Sequence, residues 1–350
     1  VGLGGIESFK GSNQSIVFEG KMSESCKSFA KSEGQASSLG FHSMRRTVII
    51  RLVLDWLLLL SFLVCYCGCE KGGFHPGDHD WPWIFRDLGA SFSPDGEWIA
   101  YAHRAVIEEG DTSGVHIMKI DGSNRDLVFA GLTYGVDWSP DSSKLVFEYG
   151  NEIWSLDLGT DSVAPISPQD GKEKHKPVWS AGGEKIAYTV AYGDDRGVWV
   201  MDSSGENAHL VVSYADVSDW FPSGSEIGFS AWVYDSSAAD WVYGIWSADT
   251  AGSEIRLILL AKTINLLEDA IWLRVSPDGS KLAIHGQQEG RPPEVWVINA
   301  DGSNPKQLTQ DGGMDPAWSP TGQWIVYTDG RDGKLWLIRP DGTDQHPVDY

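Results

Sequence analysis

A short unit recurs six times along this chain, and its spacing limits the possible folds more than any other feature. The last copy is Trp318-Ser319-Pro320-Thr321-Gly322, followed by Gln323-Trp324-Ile325-Val326-Tyr327; the first is Phe92-Ser93-Pro94-Asp95-Gly96, followed by Glu97-Trp98-Ile99-Ala100-Tyr101. Each reads as strand, tight turn, strand. Proline sets φ for the first turn position, and glycine takes the position that needs φ > 0. The other copies begin at Trp138, Trp179, Trp220 and Val275, so successive spacings are 46, 41, 41, 55 and 43 residues. Periods near 40–50 residues belong to stacked radial modules.

A second marker lies between the hairpins. It is an apolar strand, usually with tryptophan second, ending in an acidic or amide turn: Ile153-Trp154-Ser155-Leu156-Asp157, Val198-Trp199-Val200-Met201-Asp202, Val295-Trp296-Val297-Ile298-Asn299. A short further strand follows most of these, such as Leu210-Val211-Val212. Each repeat therefore supplies four short antiparallel strands. Segments such as Leu282-Ala283-Ile284 are apolar without alternation, which suits sheets covered on both faces. The expected fold is all-β: a six-bladed β-propeller over residues 81–350, with tryptophans filling the wedges between blades. The last blade closes either with Trp81–Arg86 or with Gln345–Tyr350. Two stretches interrupt the pattern, Tyr234–Asp240 in the fourth repeat and the apolar link Ile255–Ala270.

The region before the repeats reads differently. Residues 1–43 are rich in Ser, Gly and Lys without apolar periodicity, and read as disordered or as upstream sequence. From Met44, Arg45 and Arg46 precede an apolar run from Trp56 to Cys67, the layout of an export signal over residues 44–69. Its end, Tyr66-Cys67-Gly68-Cys69, resembles a bacterial lipobox, which implies lipidation at Cys69. A membrane anchor is the competing reading, although the clean apolar run falls short of the roughly 20 residues of a span. Residues 70–80 follow as a polar tether. The cysteines are Cys26, Cys65, Cys67 and Cys69, so the repeat region carries no disulfide framework.

The repeated Trp-Ser-Pro-Asp-Gly hairpin, the apolar-Trp strand and the Asp-Gly turn together resemble TolB-type, WD-like propeller repeats over about residues 81–350. That resemblance implies a six-bladed propeller that docks a protein or peptide in the cell envelope. The expectation is an exported, monomeric protein, with the lipobox-like end implying a tie to the membrane through a lipid. TolB-type proteins carry an additional N-terminal α/β domain, and the stretch from Cys69 to Phe92 is too short for one, so the expectation is a propeller-only relative.

The chemistry offered by single residues is sparse. No Gly-x-Ser-x-Gly elbow, phosphate loop or His-Glu-x-x-His occurs. Acidic loops such as Asp121-Gly122-Ser123-Asn124 are explained by turn chemistry and lack the twelfth-position carboxylate of a calcium loop. Net charge is -22. Because residues 1–69 carry seven basic and five acidic side chains, the acidity belongs to the repeats, which argues against nucleic acid. By analogy with other propellers, a ligand would meet residues just before the innermost strands: Asp87, Asp137, Lys176, Asp219, Arg274 and Asp315. Four acids in one funnel would attract a basic peptide or a divalent cation such as calcium; no other cofactor is expected. His175 reads as a solvent-exposed loop residue. The leading function is a non-catalytic envelope scaffold. The competing classes are a propeller lyase or hydrolase working at the channel mouth, and a glycan-recognising propeller using Trp232 or Trp241.

Overall fold

The Ser-Pro-Asp hairpins are locked by their own side chains. At the second copy the Ser139 hydroxyl donates to the Asp141 carboxylate at 2.6 Å and accepts the Lys144 N–H at 2.9 Å, while Asp141 also accepts from the Ser143 N–H. Ser276, Asp278, Ser280 and Lys281 repeat the arrangement. Hydrogen bonds from these serines hold the Asp141 and Asp278 carboxyls down to about 2. Each turn thereby satisfies its backbone donors without outside help.

A computed structural model describes residues 86–105, 112–235, 240–266 and 272–349. The readings of residues 1–43, the leader at 44–69 with Cys69, and the tether at 70–80 lie outside the described residues. The hairpins build six four-stranded antiparallel sheets, each from consecutive strands. The innermost strands are Asp87–Phe92, Val136–Trp138, Lys174–Trp179, Ala215–Trp220, Trp272–Val275 and Gly313–Trp318, which define blades 1 to 6. The second strands are buried on both faces, as their unbroken apolar runs require: Leu282, Ala283 and Ile284 are fully buried.

An apolar cluster fills each of the six seams between neighbouring blades. Val115 of blade 1 meets Trp138 and Phe147 of blade 2, and Val200 of blade 3 meets Trp220 and Phe229 of blade 4. The ring closes where Phe92 and Tyr101 of blade 1 pack with Leu337 and Val348 of blade 6. The hairpin tryptophans reinforce the seams with a hydrogen bond. The indole N–H groups of Trp138, Trp220 and Trp318 each donate at 3.1 Å to a carbonyl on the preceding innermost strand, that of Ser91, Val178 and Arg274 respectively.

Of the two closures left open by the sequence, the local one occurs. His346–Pro347 pairs with Leu335–Ile338 and completes blade 6 from its own chain end. Blade 1 then joins blade 6 through Asp87, whose N–H donates to the Gly333 carbonyl at 3.0 Å and whose carbonyl accepts the Thr328 hydroxyl at 2.7 Å.

The turns also join blades. Gly302 has φ +81, which suits glycine, but the position has a second demand. A Cβ there would lie 1.9 Å from the Ile258 carbonyl oxygen of blade 4. Gly205 is held equally close, 1.8 Å, to the Ile166 oxygen of blade 2.

The described parts of the two irregular stretches continue blade 4. At the first, Glu226–Asp235 and Asp240–Asp249 extend to ten residues each and pair up to Asp235 with Asp240; residues 236–239 lie outside the described residues. The described part of the apolar link, residues 255–266, is not an insertion. Ile255–Leu260 is the outer strand of the blade, and a 3-10 turn at Ala261–Ile264 then buries Ala261, Ile264 and Leu266 against blade 5.

Candidate functional site

The innermost strands line the central channel, and they hold the side chains that the repeat does not dictate. One residue before the hairpin aromatic, the six blades carry Ser91, Asp137, Val178, Asp219, Arg274 and Ala317. No packing rule shared by all blades selects this mixture. Ser91, Asp137, Asp219, Arg274 and Ala317 enclose a cavity of about 130 Å³ on the axis, with Val275, Pro277 and Trp318.

This hairpin end of the channel is polar and internally bonded. Asp137 accepts the Ser91 hydroxyl at 3.0 Å and the Trp179 N–H at 2.8 Å. Asp219 accepts the N–H groups of Trp220 and Val275, each at 2.8 Å. The Arg274 guanidinium stands 3.7 Å from Asp219. Burial raises both carboxyls, and the charge of Arg274 pulls both back; Asp219 still rests at about 6, with Asp137 raising it further. The three groups thus form a triad across the axis from blades 2, 4 and 5.

The six residues read from the sequence do not form one funnel. They lie within the innermost strands, not before them, and at three levels. Asp137, Asp219 and Arg274 share the cavity. Lys176 and Asp315 stand two positions nearer the strand starts, with Trp272 and Gly89. Asp87 opens its strand, is buried, and bonds to His103 Nδ1 at 2.6 Å. The four acids therefore do not meet in one cluster. Asp137 and Asp219 face an arginine, Asp315 accepts the Gly89 N–H at 3.2 Å, and Asp87 is taken by histidine. Among the described residues no group of three or more His, Cys, Asp or Glu is placed to hold a metal ion.

Three further residues shape the strand-start level. His175 belongs to the innermost strand of blade 3, where its ring meets Glu148 at 3.1 Å and Glu173 at 2.9 Å. Burial lowers it, but hydrogen bonds to the two carboxylates outweigh that and push it up to about 9. It is a half-buried cation and not a loop residue in solvent. Trp272 carries the Lys176 ammonium 4.7 Å from its ring centroid and the Arg274 guanidinium at 5.8 Å. His285 lies nearly parallel to that ring, 6.3 Å away. Because Lys176 comes from blade 3 and Trp272 from blade 5, the contact crosses the channel. Sequence reading missed Trp272 because tryptophans were assigned to seams; its signal was its place in an innermost strand where other blades carry glycine, lysine, valine or aspartate.

The tryptophans expected to recognise a glycan are not free platforms. Trp232 and Trp241 are both half-buried; Trp232 packs on Tyr243, and Trp241 meets Tyr234 edge-on at 5.6 Å. Tyr234 is the exposed aromatic of that hairpin.

No protein-family model matches the chain. It is similar to the uncharacterized protein YidR of Escherichia coli (strain K12), 21% identical over 268 residues that make up 67% of this chain and 64% of that one. A stretch of 76 residues, 21% of this chain and 15% of the other, is 33% identical to the Tol-Pal system protein TolB of Desulfosudis oleivorans. Among solved structures, TolB from Acinetobacter baumannii matches with a TM-score of 0.59 at 20% identity, over 71% of this chain and 62% of that one. The chain spans less than two thirds of the length of these relatives. Blade count, strand order and these likenesses agree, and the repeat region is a TolB-like six-bladed β-propeller.

Proposed function

We propose that this protein is a non-catalytic scaffold of the cell envelope that docks a protein or peptide over the strand-start mouth of its channel. The observation that carries this reading is the contrast between seams and channel. The seams repeat one solution six times, whereas the channel level holds Lys176, Trp272, His285 and Asp315, which differ blade by blade and add no common packing. Side chains that the fold does not require are those available for recognition. The similarity to a Tol-Pal system protein supports the envelope as the location and a protein as the partner. The described acids lower in the channel are engaged by the Ser91 hydroxyl, by backbone N–H groups and by Arg274.

The test has two arms. The immobilised full chain is used to capture partners from envelope extract, and amide exchange of the complex is then compared with the free protein. Slowed exchange in the innermost strands around residues 87–91, 174–178 and 313–317 is expected. Recovery of no partner, or protection confined to the outer strands or the Ser-Pro-Asp hairpins, overturns the reading. The same proposal places a lipid on Cys69. Substituting Cys69→Ser should move the protein from the membrane fraction to the soluble one, and unchanged fractionation removes the anchor from the account.

A further inference from the structure

We infer that Lys176, Trp272 and His285 form a carboxylate-binding site at the strand-start level of the channel, taking one acidic group of the docked peptide. This rests on the docking reading above and specifies its chemistry, reversing the charge preference that the acidic sequence suggests.

The first observation is a strained backbone aimed at the axis. Lys176 has φ 55, in the left-handed region that a residue with a Cβ rarely adopts. Its N–H is held by the Glu148 carboxylate at 2.9 Å. Gly89 and Asp315 at the matching positions have φ 53 and 50, so a bulge belongs to the fold there. Glycine is the unstrained choice, as blade 1 shows, and lysine is not required to make the turn. The bulge re-aims the side chain across the channel, where its ammonium lies over Trp272.

The second observation is that this ammonium meets no carboxylate among the described residues. Among the described residues, its one recorded side-chain contact is the Trp272 face. The neighbouring acids are engaged elsewhere: Glu148 with His175 and the Lys176 backbone, Asp219 with Arg274, Asp315 with the Gly89 N–H. A lysine has three donors and no acceptor. Held over an aromatic face inside a channel, it lacks the anion that would complete it.

The third observation is the tautomer of His285. Its Nδ1 lies 2.9 Å from the Asp315 N–H, which can only donate, so Nδ1 accepts. The Asp315 carboxylate oxygen at 3.5 Å from the same nitrogen is too far to compete for a proton there. Burial lowers the ring's basicity, Asp315 opposes that, and the Lys176 charge lowers it further. The proton therefore sits on Nε2, and no acceptor among the described residues meets it. The Lys176 ammonium and the His285 ring both stand beside the Trp272 indole. A carboxylate entering beside that indole meets charged and neutral N–H donors. The negative field of the whole protein disfavours small free anions, so the group must arrive on a chain that makes other contacts.

A side-chain carboxylate and a chain-terminal one share this chemistry, and the probes separate them. Full-length protein with 15N-labelled tryptophan indoles is titrated with acetyl-Ala-Glu-Ala-amide, acetyl-Ala-Ala-Ala with a free terminus, and acetyl-Ala-Gln-Ala-amide. The Trp272 signal is assigned by its loss in Trp272→Phe. At least one carboxylate peptide should shift that signal while the glutamine peptide does not, and whichever does so names the source. Lys176→Asn keeps a residue that tolerates the left-handed backbone and should weaken binding about tenfold or more, as loss of a charge-assisted hydrogen bond does; Lys176→Arg should bind nearly as well as the parent. Equal shifts from the glutamine peptide, no shift from either carboxylate, or unweakened binding in Lys176→Asn overturns the site. If the captured partner protects the channel mouth while the peptides fail, docking stands and the carboxylate site falls. If the peptides bind and the partner protects another face, the site stands and the docking reading falls.

Discussion

Replacing Trp220 with alanine is expected to destabilise the propeller by about 3–5 kcal/mol, the usual cost of deleting a buried aromatic. Trp220 is 4% exposed and sits in the seam cluster shared by blades 3 and 4. Its removal empties the wedge between Val178 and Val200 on one side and Ile227 and Phe229 on the other. It also strips the Val178 carbonyl of the indole N–H that reaches it at 3.1 Å. Trp220→Phe separates these contributions, because it keeps most of the volume and loses the hydrogen bond; about 1–2 kcal/mol is expected for it. Denaturant midpoints of the three proteins check the order. A Trp220→Ala loss below about 1 kcal/mol, small for a buried aromatic, shows that the blades do not depend on the seam and contradicts the packing account.

Arg274→Met should be the most pH-sensitive substitution in the molecule. In the parent, burial raises Asp219 to about 6 from an ordinary value of 3.8. Between those two values the native state holds a proton that the unfolded state has released, so this group's contribution to stability is complete below 3.8. It is lost as pH rises through about 6. Arg274 limits the loss by favouring the ionised forms of Asp219 and Asp137. Without it, two carboxylates remain in one cavity with backbone and hydroxyl donors but no cation. Removing one partner from such a buried set costs about 3–5 kcal/mol at neutral pH. The penalty should shrink toward zero as pH falls and both acids protonate. Unfolding measured at acidic and at neutral pH, as the difference between variant and parent, cancels the other titrating groups. A penalty independent of pH would mean that Arg274 acts through packing alone.

Taken together, the two substitutions separate the architecture from the channel. The Trp220 position recurs around the ring, and its loss is felt at every pH. Arg274 stands at a level where blade 1 has Ser91 and blade 6 has Ala317. Its loss is felt through charge. The same division underlies the functional proposal, since recognition is assigned only to positions at which the blades disagree.

Much of this was legible in the chain. The Ser-Pro-Asp-Gly turns report themselves because their hydrogen bonds run between residues no more than five apart, as with Ser139, Asp141 and Lys144. The unbroken apolar second strands and the module period specify stacked, doubly covered sheets, and the number of copies specifies six. Charge at Asp137, Asp219 and Arg274 was visible beside the hairpin aromatics. The tertiary structure decided how those charges meet. Residues on different blades face one another across an axis, and their relative depth depends on bulges at Gly89, Lys176 and Asp315 that shift each strand's register. Linear order carries no record of that depth. This is why Asp87 was grouped with acids it does not join, and why Trp272, a tryptophan among seventeen, showed its place over the channel only once the ring had closed. Turns and strand periods are local and survive in the sequence, whereas the company a channel residue keeps is set by blades more than forty residues apart.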